Sequence, residues 1–110
     1  MTLNTPPDAP KTGVKFDQGK LGFNLLPWDA VIEIVRVLDY GATKYDARNW
    51  EKGMDWSRPE SAAYRHLTAW SMGESLDPDT GLSHLAHAAC NLLFLLAYAQ
   101  RGIGHDDRPR

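Results

Sequence analysis

One cysteine, no long apolar run and no excess of basic charge set the first limits on this chain. The lone thiol, Cys90, rules out a disulfide within one copy and fits a reducing, cytoplasmic setting. Its apolar neighbours point to a buried structural thiol. The longest apolar stretch, around Leu92 to Tyr98, is far too short to span a bilayer, so no membrane partner is expected. Met1 to Pro10 is polar and Pro-rich and lacks the apolar centre of a secretion signal. A formal net charge of -2 argues against duplex nucleic acid as the partner, because duplex binders carry a basic stripe.

What remains is a chain of 110 residues, 43% apolar and 24% charged, which is the profile of one globular domain. Residues 1–14 read as a flexible arm, 15–102 as a helical domain and 103–110 as a charged tail. Gly13 to Asn24 reads as an extended segment laid over the domain, with a short strand possible but weakly supported by its alternation. The first helix is expected from Pro27 to about Asp46, with Asp29 in its first turn and Val31, Ile34, Val35 and Leu38 as its inward stripe. Ser57-Arg58-Pro59-Glu60 has the form of a capping box opening a second helix that runs to about Gly73, with Ala63, Leu67 and Trp70 inward. A third helix is expected from about Leu82 to Arg101, stopped by Gly102 and apolar almost all round, hence central. The acidic turn Glu74 to Gly81 is short, so the second and third helices should form an antiparallel hairpin with the first packed across it. The fold class is therefore all-α, a bundle of three to four helices, and so few helices favour pairing with another copy.

Polar residues on these helices carry the chemistry. His84, His87 and Asn91 are spaced i, i+3, i+7 on the third helix, and buried polar groups need hydrogen bonds or ligands. A buried network between helices is the plain alternative for each histidine. His66, Trp70 and Glu74 are spaced i, i+4, i+8 on the second and could face that stripe. Glu74 and Asp77 offer oxygen ligands for Mg²⁺ or Mn²⁺, with Glu33 of the first helix next. Asp77-x-Asp79-x-Gly81 lacks the later ligands of a calcium loop. Lys15, Lys20, Lys44 and Arg65 could meet phosphate, Trp50 could stack on a base, and Asn49 lies beside it. The phosphate-cradling Gly-rich loop ending in Lys-Ser/Thr, the zinc-protease helix and any Cys-His cluster are all missing.

In order and spacing, several strings resemble the phage-type dATP/dGTP diphosphohydrolase N-terminal domain family. They are Lys15-Phe16-Asp17-x-Gly19-Lys20, Leu25-Leu26-Pro27, Tyr40-Gly41-Ala42-x-Lys44-Tyr45 and Asn49-Trp50-x-Lys52-Gly53. Arg65-His66-Leu67-x-Ala69-Trp70, Gly73-Glu74, Asp77-Pro78-x-Thr80-Gly81-Leu82 and His84-Leu85-x-His87-Ala88-Ala89 complete the pattern. That family is similar to the MazZ and MazG-like all-α nucleotide pyrophosphohydrolases. The resemblance implies a MazG-like bundle and Mg²⁺- or Mn²⁺-dependent cleavage between the α and β phosphates of a purine dNTP, giving dNMP and pyrophosphate. It also implies a phage protein of the host cytoplasm, and the small number of helices favours a homodimer or larger homo-oligomer. On the enzyme reading of these residues Glu74, His84 and His87 would be catalytic, and Glu74 and Asp77, with Glu33 next, would hold the metal. Lys15, Lys20, Lys44, Asn49, Trp50, Arg65, His66, Trp70 and Asn91 would contact substrate.

One departure stands out. MazG-like enzymes carry Glu-Glu-x-x-Glu on one helix and Glu-x-x-Asp on the next, and this chain has neither, with Asn91 where that Asp would fall. Two readings stay open: a different metal cage built from Glu33, Glu74, Asp77 and the histidines, or a protein that binds and sequesters a nucleotide without cutting it. A purely structural helical domain is the third possibility.

Overall fold

The computed structural model describes residues 12–110, and most of the expected arm lies outside them. The described chain is all-helical: α1 spans Trp28–Lys44, α2 spans Ser57–Ser71 and α3 spans His84–Arg101. Single 3-10 turns at Phe23–Leu25 and Asn49–Lys52 precede and follow α1.

Each helix begins and ends for a local reason. Pro27 precedes α1, and its carbonyl accepts the Ala30 and Val31 N–H groups. Asp29 sits at the positive end of the helix dipole. Ser83 caps α3, its Oγ accepting the Leu85 and Ala86 N–H groups. Gly102 ends α3 with a φ of 66°, a left-handed residue that also lets Ile103 N–H return to Tyr98 O.

The start of α2 departs from the expected capping box. Ser57 is already helical, and its N–H and Oγ–H both donate to the Asp107 carboxylate. A residue fifty positions downstream thus supplies the anionic cap that Glu60 was expected to complete.

That contact belongs to a wider docking of the tail. Trp56 N–H donates to His105 O and His105 N–H to Met54 O, forming an isolated parallel bridge at Asp55 and His105. The Trp56 indole N–H donates to Ile103 O at 2.9 Å, and the Arg108 guanidinium lies over the ring. Residues 103–108 are therefore built onto the loop that opens α2.

The tail brings the end of α3 to the start of α2, while Glu74 after α2 reaches His84 at the start of α3. The two helices consequently form the expected antiparallel hairpin. The α1 helix packs on α3 alone to any extent, with Val37 against Ala86 and Cys90 and with Ile34, Leu82 and Phe94 around them.

The inward faces are rotated from those expected. On α1 the least exposed positions are Val31, Ile34, Val37 and Gly41, while Val35 and Leu38 join Ile32 on the exposed side. On α2 they are Pro59, Ala63, His66 and Ala69, and Leu67 and Trp70 face outward. Leu85, Leu92, Leu93 and Leu96 of α3 are also exposed, so α3 is the most buried helix without being covered all round. The described residues 12–29 are all exposed, and Gly13 to Asn24 is not laid over the helices.

Candidate functional site

Two buried imidazoles, His84 and His87, and a half-buried third, His66, define the site at one end of the hairpin. Facing positions on α2 and α3 bring His66 against His84 and His87. The rings of His66 and His87 stack with centroids 4.5 Å apart and planes 9° from parallel. His66 Nδ1 lies 2.8 Å from His84 Nδ1, and His84 Nε2 lies 2.6 Å from Glu74 Oε1. A carboxylate, an imidazole and a second imidazole thus form one continuous hydrogen-bonded chain.

The turn from 72 to 83 supplies the remaining groups. Gly73 takes a φ of 100° just past α2 and gives its N–H to Trp70 O. Asp77 N–H donates to Leu82 O, Gly81 N–H to Asp77 O and His84 N–H to Ser75 O, cross-linking the turn. Asp77 is 9% exposed, and its Oδ1 accepts the Asp79 N–H at 2.8 Å. Its Oδ2 lies 3.6 Å from His87 Nε2. Thr80 Oγ1 lies 2.8 Å from that same nitrogen and also accepts the Leu82 N–H. Asn91 donates its Nδ2–H back to His87 O within α3, so it steadies the helix beneath the ring.

Burial sets the electrostatics. Desolvation pulls the His66 and His87 imidazoles below their ordinary range, and the neighbouring imidazoles push the same way. The Asp77 carboxylate opposes both effects. His66, Asp77 and His87 each offer one ligand atom, and these three atoms lie within 4.8 Å of one another. Such a donor set suits a divalent ion that accepts imidazole nitrogen, whereas Mg²⁺ seeks oxygen and finds here one carboxylate free to face it.

Of the expected site residues, Glu74, Asp77, His84, His87 and His66 converge. The others do not join them. Glu33 pairs with Arg36 at 3.2 Å on the exposed face of α1, an ordinary i, i+3 contact. Arg65 donates to Ser61 Oγ on the outer face of α2, beside a shallow depression lined by Tyr64, Thr68 and Met72. Trp70 is 44% exposed on the flank of the same helix. Lys15 and Lys20 lie in the exposed leading segment, and Lys44 sits over the Tyr45 ring at the end of α1.

Asn49 opens the 3-10 turn that carries Trp50 to the other end of α3. There the Trp50 ring stacks on Phe94 at 5.0 Å, Arg101 lies over it, and Trp50 O accepts the Tyr98 hydroxyl. Ten residues of helix put Phe94 about 15 Å along the axis from His84. Trp50 is therefore an anchor between loop and helix, remote from the imidazoles. Thr80 is the residue that sequence reasoning passed over. It reads as a turn former beside Gly81, and a turn residue has no helical register that would align it with His87.

The comparisons with known proteins agree with this layout in extent. The family described as "dATP/dGTP diphosphohydrolase, N-terminal" matches residues 10–108, which include every residue of the cluster. The chain is 38% identical over 97 residues to a protein of Salmonella phage PMBT28 named dATP/dGTP diphosphohydrolase. That match covers 88% of this chain and 33% of the relative, so the chain spans about a third of the length of that protein. No solved structure matches. Matched over nearly all of its length, the chain belongs to the dATP/dGTP diphosphohydrolase N-terminal family.

Proposed function

We propose that this chain takes part in metal-assisted hydrolysis of a purine deoxynucleoside triphosphate, dATP or dGTP, at the α–β phosphoanhydride, releasing dNMP and pyrophosphate. The observation that carries the reading is the grouping of His66 with the buried Asp77 and His87, backed by Glu74 and His84, in a chain of the family described as dATP/dGTP diphosphohydrolase, N-terminal.

A divalent cation bound by these residues would supply Lewis-acid polarisation of the phosphate. The chain's own contribution is orientation and proton handling. Asp77 keeps one oxygen on the Asp79 N–H and presents the other. His84 links Glu74 to His66 and can pass a proton between them. Lys15, Lys20, Lys44 and Arg65 are the cations outside the cluster that would meet phosphate. The exposed apolar side chains of α1 and α3, Ile32, Val35, Leu92 and Leu96 among them, favour a homodimer or larger homo-oligomer as the working form.

Incubation with each dNTP and Mn²⁺ or Mg²⁺, followed by ion-exchange separation, tests the reading. Monophosphate and pyrophosphate from dATP or dGTP support it. The sequestering alternative, favoured by the missing acidic motifs, predicts nucleotide recovered intact together with a raised melting temperature.

A further inference from the structure

Proton bookkeeping in the cluster narrows what it can hold. Glu74 is half exposed and accepts only, so the hydrogen between it and His84 resides on His84 Nε2. A neutral His84 then has a bare Nδ1. The 2.8 Å contact between the two Nδ1 atoms must use a hydrogen on His66. A neutral His66 is left with an unprotonated Nε2, a lone pair free for a ligand. Glu74 thereby sets the tautomer of a ring it does not touch. Carboxylate–imidazole pairs of this kind orient and strengthen the imidazoles that bind metals.

We propose that His66, Asp77 and His87 form a two-imidazole, one-carboxylate site for a transition-metal dication of the Mn²⁺, Fe²⁺, Co²⁺ or Zn²⁺ class, with Glu74 and His84 as its positioning pair. The proposal deepens the metal-assisted reading above and rests on it for the use of the ion, but binding is measured without nucleotide. Three donor atoms within 4.8 Å need only a small contraction, since ligands of one ion stand about 3–4 Å apart. The His66 and His87 rings lie near-parallel with centroids 4.5 Å apart, so one of them must tilt to share an ion. His66 is that ring, being less buried than His87 and tethered through Nδ1 to His84, whereas His87 is held from Thr80 and Asp77. The ion takes over the space in which the Thr80 hydroxyl now meets His87 Nε2. Imidazole ligands discriminate against Mg²⁺, which binds oxygen and surrenders its waters reluctantly.

The test is a Co²⁺ titration of the untagged, chelator-stripped chain, followed by visible d–d absorption and by calorimetry. The expected result is one Co²⁺ per chain, displaced by Zn²⁺ and not by Mg²⁺ at the same concentration. Asp77→Asn abolishes the bands. Glu74→Gln weakens binding about 10–100-fold, with the melting temperature and circular dichroism of each variant checking that the fold persists. Glu33→Gln, on the exposed face of α1, leaves binding unchanged. Equal displacement by Mg²⁺, or unaltered Co²⁺ binding in folded Asp77→Asn and Glu74→Gln, overturns the proposal. Tight Co²⁺ binding without dNTP turnover would count against the hydrolase reading alone. Turnover with Mg²⁺ and no Co²⁺ site would count against this proposal alone.

Discussion

His66 Nδ1 and His84 Nδ1 lie 2.8 Å apart across the α2–α3 hairpin, so a single hydrogen serves both rings. Because His84 is 5% exposed and spends its other nitrogen on Glu74, it cannot change partner without leaving a polar atom stranded. This link ties the end of α2 to the start of α3 and holds the geometry on which the rest of the site depends.

Removing the middle of the chain should therefore cost stability as well as function. His84→Leu keeps the bulk and deletes both hydrogen bonds, leaving His66 without its acceptor. Urea unfolding should show a loss of about 1–3 kcal/mol. A loss below about half a kcal/mol would mean that the imidazole chain contributes little to the fold.

Cys90 offers a chemical probe of the core. It is 2% exposed between α1 and α3, and burial pushes its thiol up to about 11. At pH 8 the native protein should react with a thiol-specific disulfide reagent far more slowly than the urea-unfolded chain does. Rapid labelling of the native protein would show that α1 leaves α3 readily.

The docked tail carries its own pH dependence. Two hydrogen bonds from Ser57 hold the Asp107 carboxylate below its ordinary range. A carboxyl with a depressed folded pKa contributes stability above its unfolded value and loses it as pH falls through the folded one. Release of the tail should accordingly begin below the ordinary value of 3.8. Trp56 fluorescence should report it, because its indole N–H donates to Ile103 O. Asp107→Asn should weaken the docking already at neutral pH and remove this acid dependence, and an unchanged acid profile in that variant would contradict the assignment.

Two glycines near the same junction make a matched pair. Gly104 has a φ of 78°, and an added Cβ would press on the Met54 carbonyl, backbone that cannot swing aside. Gly102 has a φ of 66° with open space where its Cβ would sit. Gly102→Ala should cost about 1 kcal/mol in thermal or urea unfolding, the left-handed penalty alone. Gly104→Ala should cost about 2 kcal/mol or more and expose Trp56. Equal costs would show that the tail is not seated as described.

Much of this was legible in the chain. Periodicity and capping residues locate three helices to within a few positions, and the His84–His87 stripe, Glu74 and Asp77 are brought together as their spacing suggested. The faces of α1 and α2 were not legible, because hydrophobicity alone cannot tell a core stripe from an exposed one. Leu67 and Trp70 look inward by composition, yet α2 turns His66 toward α3 and leaves both outside. The capping box failed for a similar reason, since Asp107, remote in sequence, competes successfully for Ser57. Trp50 and Lys44 look like a nucleotide loop until tertiary packing commits the tryptophan to Phe94 and Tyr98.

The central claim is that hydrolysis depends on the buried cluster and not on the acidic residue of α1. Rates of dGTP and dATP consumption by wild type, Asp77→Asn and Glu33→Gln, measured side by side with Mn²⁺, test it most directly. The account predicts a loss of about 100-fold or more for Asp77→Asn, as expected when a metal-binding carboxylate is removed. It predicts a near-unchanged rate for Glu33→Gln. Full activity in Asp77→Asn, with loss in Glu33→Gln, would contradict it.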